Sequence, residues 1–209
     1  LDLARLAGAR PASPQPKGKA GSPVPDAPLD LSSLRTIDAS IKVDAERLGY
    51  GRVFAGPVAT TLVISEGVAS LDLPESPFYG GRMAANLKAD GTAEEASIAL
   101  KASIAGASAA PLLIDLANFK HLEGALQAQF DIAGAGATTG ALKRALQGSA
   151  NVRFSDGAVR GIDVADVYSN LVGLMSSGFK QNENNATGFT ELGASFAIEN
   201  GVARTEDIK

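Results

Sequence analysis

The 209 residues contain no cysteine and one histidine, His121. The first absence removes disulfides, thiol nucleophiles and Cys-ligated metals, and it fits a cytosolic and a periplasmic protein equally well. The second removes any metal site or proton relay that needs two imidazoles, and leaves a Ser-His-Asp triad only His121 to use. That residue stands between Lys120 and Glu123 at the start of an alternating segment, with no nucleophile motif beside it. It reads as an ordinary strand-edge residue. Aromatic residues make up only 5% of the chain, so much of its 45% hydrophobic share is alanine, enough for a shallow sheet face. Lys and Arg number 19 against 23 Asp and Glu, a net charge of −4, and no cationic cluster points to nucleic acid. No run approaches the ~18 apolar residues of a membrane-spanning helix. Residues 1–10 lack the basic-then-apolar order of a signal peptide. The chain begins with Leu, as expected of a fragment whose anchoring or targeting segment lies elsewhere.

What is present begins with proline. Pro11, Pro14, Pro16, Pro23, Pro25 and Pro28 lie among Ser, Gly, Lys and Ala. Proline lacks an amide donor and fixes its own φ, so residues 11–28 read as a semi-extended linker. Leu1–Leu6 before it is expected to end an upstream strand. The division is therefore 1–28 (strand end and linker) and 29–209 (one folded domain).

From Ile37 the apolar period is two. Ile37, Ala39, Ile41, Val43 and Ala45 alternate with Asp38, Ser40, Lys42, Asp44 and Glu46, which predicts a strand with one buried and one wet face. The pattern returns at Val58–Ile64, Ala69–Leu73, Met83–Ala89, Ala96–Ile104, Leu126–Ile132, Val152–Phe154 and Ala194–Ile198. Between these runs stand Glu66-Gly67, Asp90-Gly91, Asp156-Gly157 and Asn200-Gly201, pairs suited to the positive φ of tight hairpins. The expected fold is mainly β (α+β), a curled antiparallel sheet of successive hairpins. Three short helices should interrupt it: Ser108–Asn118, Thr138–Gln147, and one from Asp163 carrying Val167, Leu171, Leu174 and Met175 on one face. Gln181–Thr187 reads as a polar loop.

Few constellations offer chemistry. Gly134-x-Gly136-x-x-x-Gly140 imitates a dinucleotide fingerprint, but it is one residue too long. Its strand also alternates with Gln127, Gln129 and Asp131, whereas a parallel Rossmann strand is buried on both faces. Asp38, Asp44 and Asp72 fall on polar strand faces, where solvated carboxylates belong, and no calcium-loop pattern is visible. The chain is thus expected to be no enzyme, with no cofactor and no metal. The apolar stripe remains. Ile41, Val43, Leu62, Ile64, Leu87, Ile98, Leu100 and Phe130 either line an apolar groove or belong to a core closed by the helices.

Several segments resemble the C-terminal part of AsmA family proteins. Leu29-Asp30-Leu31-Ser32-Ser33-Leu34-Arg35 leads into an alternating strand. Phe78-Tyr79-Gly80-Gly81-Arg82 matches a family turn before a strand, and Gly148-Ser149-Ala150 leads into Val152–Phe154. Asp156-Gly157-Ala158-Val159-Arg160-Gly161-Ile162-Asp163 is the most specific stretch, and Phe189–Leu192 opens a strand ending at Asn200-Gly201. The resemblance implies a bacterial envelope protein, mostly periplasmic and anchored in the inner membrane by a segment absent from this chain. It also implies kinship with TamB-like bridge-like proteins, in which a β groove carries lipid between inner and outer membrane and serves outer-membrane biogenesis. Tyr79, Gly80, Gly81, Asp156, Gly157, Gly161, Ile162 and Asp163 carry over as structural positions. The partners so implied are lipid acyl chains and the membrane itself. The alternative is an interaction module with a closed core, meeting other envelope proteins through a sheet edge. The chain is expected to stop within a final strand at Lys209.

Overall fold

A computed structural model describes residues 26–160 and 186–207. The alternating segments become strands β1 (Ala39–Ala45), β4 (Val58–Ser65), β5 (Val68–Phe78), β6 (Gly81–Asp90), β7 (Ala96–Ser108), β8 (Leu122–Gly136), β9 (Gln147–Arg160), β10 (Ala186–Glu199) and β11 (Val202–Arg204). They form one open antiparallel sheet in that order, not closed into a barrel. Between β1 and β4 the chain adds a hairpin of its own, β2 (Leu48–Tyr50) with β3 (Val53–Ala55). Two short helices follow β7 and β8: α1 (Ala109–Ala117) and α2 (Thr139–Arg144). A 3₁₀ turn at Ser32–Thr36 precedes β1.

Three tight turns have positive φ at both central residues, the requirement of a type I′ hairpin: Glu66-Gly67, Tyr79-Gly80 and Asn200-Gly201. The other two expected turns are different objects. Asp90 ends β6, and a five-residue connection, 91–95, leads to β7. Asp156-Gly157 lies inside β9. There the two residues oppose the single Gly124 of β8, with Asp156 at φ 49°. That is a β-bulge, and it uses the same left-handed tolerance that a turn would. Two further irregularities, at Pro74-Glu75 in β5 and at Gly106 in β7, fall at the same end of the sheet. Bulges bend strands and raise local twist, so this end curls.

Both ends of the apolar face are covered. At the bulged end, β2–β3 and α1 bring Leu48, Ala55 and Leu112 onto Leu73, Phe78, Leu126 and Ala128, forming the buried cluster. Asn118, left-handed at φ 54°, closes α1 by donating to the Ile114 carbonyl. At the other end the chain before β1 runs across the strand ends as a strap. Asp26 accepts the Gly140 N–H at 2.8 Å, and Leu29 N–H donates to the Ala137 carbonyl at 2.9 Å. The Arg35 guanidinium donates to the carbonyls of Gly91 and Ala93 at 2.5 and 2.7 Å. Asp26, Ala27 and Pro28, assigned to the linker from their composition, are thus tied to the fold. Thr138 caps α2 by accepting the Ala141 N–H at 3.1 Å. The glycines of the nucleotide-like motif let α2 pack close, because a Cβ at Gly136 would collide with Ala141 and Leu142. Residues 1–25, the helix expected from Asp163 and most of the loop at Gln181–Thr187 lie outside the described residues. Ala186 and Thr187, placed in that loop by sequence, open β10.

Candidate functional site

In an antiparallel sheet, directly paired residues send their side chains to the same face. The register therefore assembles the apolar side chains into rows. Ile41 pairs with Leu62, Leu62 with Leu71, Leu71 with Leu87, Leu87 with Leu100 and Leu100 with Ile132. Six large side chains from six consecutive strands make one unbroken row. At ~4.8 Å per strand the row is about 24 Å long. Gly148 follows Ile132, and a Cβ there would strike the Asp131 carbonyl, so the row has a notch before Ile198.

All eight sequence-predicted groove residues share this face. Ile41, Leu62, Leu87 and Leu100 stand in the row itself. Ile64 and Ile98 flank it towards the strap, joined through Ala69 and Ala89. Val43 and Phe130 lie on the other flank, with Leu73, Ala85 and Ala102 between them. Contact with the buried cluster separates them into two groups. Phe130 packs against the buried cluster at the bulged end, together with Met83, Ala85, Ile104, Val152 and Phe154. The central row stays outside that cluster: Ile41 is 47% exposed, Leu87 37%, and Leu62, Leu71, Leu100 and Ile132 are half-buried. Leu71 and Ile132 belong to the row although they were not among the candidates. Their alternating positions were the signal for them. Two hydroxyls are buried on this face among the described residues: Thr60 donates to the Asp72 carbonyl, and Ser76, paired with Met83, donates to the Pro74 carbonyl.

The family-type positions are architectural. Tyr79-Gly80 is the β5–β6 turn, and a Cβ at Gly81 would collide with the backbone of Ala105 and Ala107 at the Gly106 bulge. The Tyr79 hydroxyl donates to Asp115 of α1 at 2.6 Å, which ties the turn to the helix. Burial, reinforced by that carboxylate, pushes the Tyr79 hydroxyl up to about 12. Asp156-Gly157 is the bulge, where a Cβ at Gly157 would meet Phe189 and the Glu123 carbonyl. Gly161, Ile162 and Asp163 lie outside the described residues. His121 Nδ1 is 3.0 Å from the Arg160 carbonyl, and its ring meets Phe119 edge-on. The neighbouring Arg160 guanidinium grips Glu123 at 2.6 and 3.1 Å. Among the described residues no three His, Asp or Glu side chains converge as metal ligands, and no helix is long and apolar enough to cross a membrane.

A family model described as the AsmA family matches residues 10–208. No match emerges among curated proteins or among solved structures.

Proposed function

The chain belongs to the AsmA family, and on that footing we propose that it is a non-catalytic domain that holds lipid acyl chains on the apolar face of its sheet. It would act in the periplasm, within a protein anchored to the inner membrane, in lipid movement towards the outer membrane. The family is broadly associated with envelope assembly and lipid transport, which sets the frame for this reading. The observation that carries it is the central row, from Ile41 to Ile132, held half-buried outside the core while both ends of the face are covered.

The dimensions and chemistry suit an acyl chain. One leaflet contributes half of a ~30 Å hydrocarbon layer, so an acyl chain of ~15 Å lies comfortably along the row. Burial there would contribute ~0.8 kcal/mol per methylene, with no hydrogen bond needed to orient it. Leu, Ile and Ala side chains do not discriminate one apolar chain from another, so selectivity for chain length or unsaturation should be low.

The test is a fluorescent acyl probe together with thermal melting of the wild type, Leu87→Glu and Leu100→Glu. On a half-exposed row the new carboxylate stays hydrated, so both variants should fold and bind the probe more weakly. If the wild type binds no probe and both variants unfold, the row is closed core.

A second reading has its own observation. β11 pairs with β10 only at Ala197–Glu199, so the fourteen-residue β10 runs well past its outer neighbour. Such an edge can accept a strand from another envelope protein. Asp207 argues against full use of that edge, because its carboxylate accepts the Ser195 N–H at 2.8 Å.

A further inference from the structure

The bulged end of the sheet carries a surface that acyl-chain binding on the row does not use. Nine large apolar side chains are exposed among the described residues, and four of them gather here: Tyr50, Ile114, Leu116 and Phe119. The Tyr79 hydroxyl makes them neighbours. It stands 2.6 Å from the Asp115 carboxylate of α1 and 3.3 Å from the Arg52 carbonyl in the β2–β3 turn, so that turn and the end of the helix meet at one atom. Tyr50 precedes the turn and is 66% exposed, as is Leu116. Phe119 folds back beyond the helix end, its N–H donating to the Leu113 carbonyl at 3.1 Å.

The helix itself is apolar on nearly every side. Its sequence, Ala-Ala-Pro-Leu-Leu-Ile-Asp-Leu-Ala, has Asp115 as its single polar residue, and that carboxylate is engaged by Tyr79. A helix of such composition belongs in a core or in lipid, yet only Ala109 and Leu112 are buried. At about 100° per residue, Leu116 and Ile114 point to sides of the helix about 160° apart, and both are exposed. One flat protein surface does not reach both sides, whereas a fluid apolar medium surrounds a projecting helix end. Arg52 and Lys120 stand exposed in the same two segments, with no ion pair among the described residues. Across residues 46–54 and 109–120, Arg47, Arg52 and Lys120 outnumber Glu46 and Asp115. The whole chain has the opposite balance, 19 Lys and Arg against 23 Asp and Glu.

We propose that this end of the domain docks on the interface of an anionic bilayer. Ile114 and Leu116 enter the acyl boundary, and Tyr50 and Phe119 sit at head-group level, where aromatic side chains gather. Arg52 and Lys120 meet the anionic head groups. Because the Tyr79 hydroxyl already engages Asp115, the one carboxylate of the helix reaches the interface with a hydrogen-bond partner. Nine residues make a helix about 14 Å long, less than half of a ~30 Å hydrocarbon layer, so it seats in one leaflet and spans nothing. The surface lies outside the central row, and binding at one does not require the other.

The test uses the whole chain and vesicles of phosphatidylglycerol and phosphatidylethanolamine. The chain has no tryptophan, so Leu116→Trp supplies a single reporter, with Val202→Trp, exposed beside the turn that bonds to Leu146, as its control. Emission of Leu116→Trp should shift to the blue on these vesicles, and less at high salt or on phosphatidylcholine alone, while Val202→Trp stays unchanged. Leu116→Ser/Phe119→Ser should keep the wild-type melting temperature and acyl-probe binding, but bind vesicles more weakly by about tenfold for each side chain lost. Absence of vesicle binding by the wild type, undiminished binding by the double variant, or an equal shift at Val202→Trp would overturn the proposal. So would self-association without lipid that the double variant abolishes, which would give the surface to a second copy. Leu87→Glu should weaken the acyl probe and leave vesicle binding intact, so this proposal and the acyl-chain reading fail separately.

Discussion

Leu87 of β6 and Leu100 of β7 stand directly opposite each other, and Leu87 keeps 37% of its surface exposed. Two residues along each strand, about 7 Å away, Ala85 faces Ala102 in a row that continues to core-packed Phe130 and buried Ala150. The transition from core to open apolar surface therefore takes one step along the strands. Leu100 and Phe130 fall on opposite sides of it.

That division predicts opposite outcomes for one substitution at two positions. Phe130→Glu places a carboxylate against the buried cluster, and should cost several kcal/mol or unfold the domain. Leu100→Glu should cost about 1–2 kcal/mol, close to the loss of one half-buried leucine. Urea melts of the two variants decide it. Equal destabilisation would mean that the central row is as buried as the core.

The Tyr79–Asp115 hydrogen bond predicts an alkaline transition. The folded tyrosine titrates at about 12 against an ordinary value of 10.0. Its neutral form is thus favoured by folding, so the contribution is full below pH 10 and fades as pH climbs towards 12. Tyr79→Phe should lose about 0.5–1.5 kcal/mol at neutral pH, the worth of one hydrogen bond. The variant should also lose much of the fall in melting temperature between pH 10 and 12. A wild-type melting temperature that is flat over that interval would contradict this.

The strap predicts an acid-sensitive clasp. Hydrogen bonds from the Thr138 hydroxyl and the Gly140 N–H hold the Asp26 carboxyl below its ordinary 3.8. A depressed folded value means that the contribution is complete above 3.8 and is lost as pH falls through the lower folded value. Hydrogen exchange at the Gly140 amide should accelerate selectively in that acid range, and Asp26→Ala should show fast exchange at every pH. If Gly140 exchanges equally in Asp26→Ala and wild type, Asp26 does not hold the clasp.

For His121, the prediction is a null effect on function. Its ring sits beside the Arg160 carbonyl and Phe119 at the start of β8, with the Arg160–Glu123 ion pair alongside. His121→Ala should leave the cellular activity of the full-length protein intact and shift the melting temperature only slightly. Complete loss of activity in a stably folded variant would reopen catalysis.

Period-two alternation made the long strands legible, because a half-buried antiparallel sheet imposes it directly. Adjacency and register followed from Glu66-Gly67, Tyr79-Gly80 and Asn200-Gly201, whose residues tolerate positive φ. The same tolerance misplaced Asp156-Gly157: left-handed φ is shared by I′ turns and by bulges, and only the opposed Gly124 tells them apart. The hairpin β2–β3 escaped because three residues per strand are too few to display a period. The tie at Asp26 escaped because its partners, Thr138 and Gly140, lie more than a hundred residues away. For the candidate site, alternation identified the face but not which part of it stays open. That depends on how far α1, the hairpin and the strap reach across it, and none of these distances is written in the local pattern.

The strap also fixes how the domain would bear load. Tension arriving through the residues before Asp26 meets the clasp at the end of β8, sixth of the nine sheet strands, before it reaches the edge strand β1. Pull delivered to β1 directly would unzip the sheet one ladder rung at a time. Pull delivered at the clasp must first break the bonds of Asp26 and Leu29 to Gly140 and Ala137, and then those of Arg35 to Gly91 and Ala93. A domain tethered in this way yields at its strap before its sheet, so the apolar row keeps its shape while the tether gives.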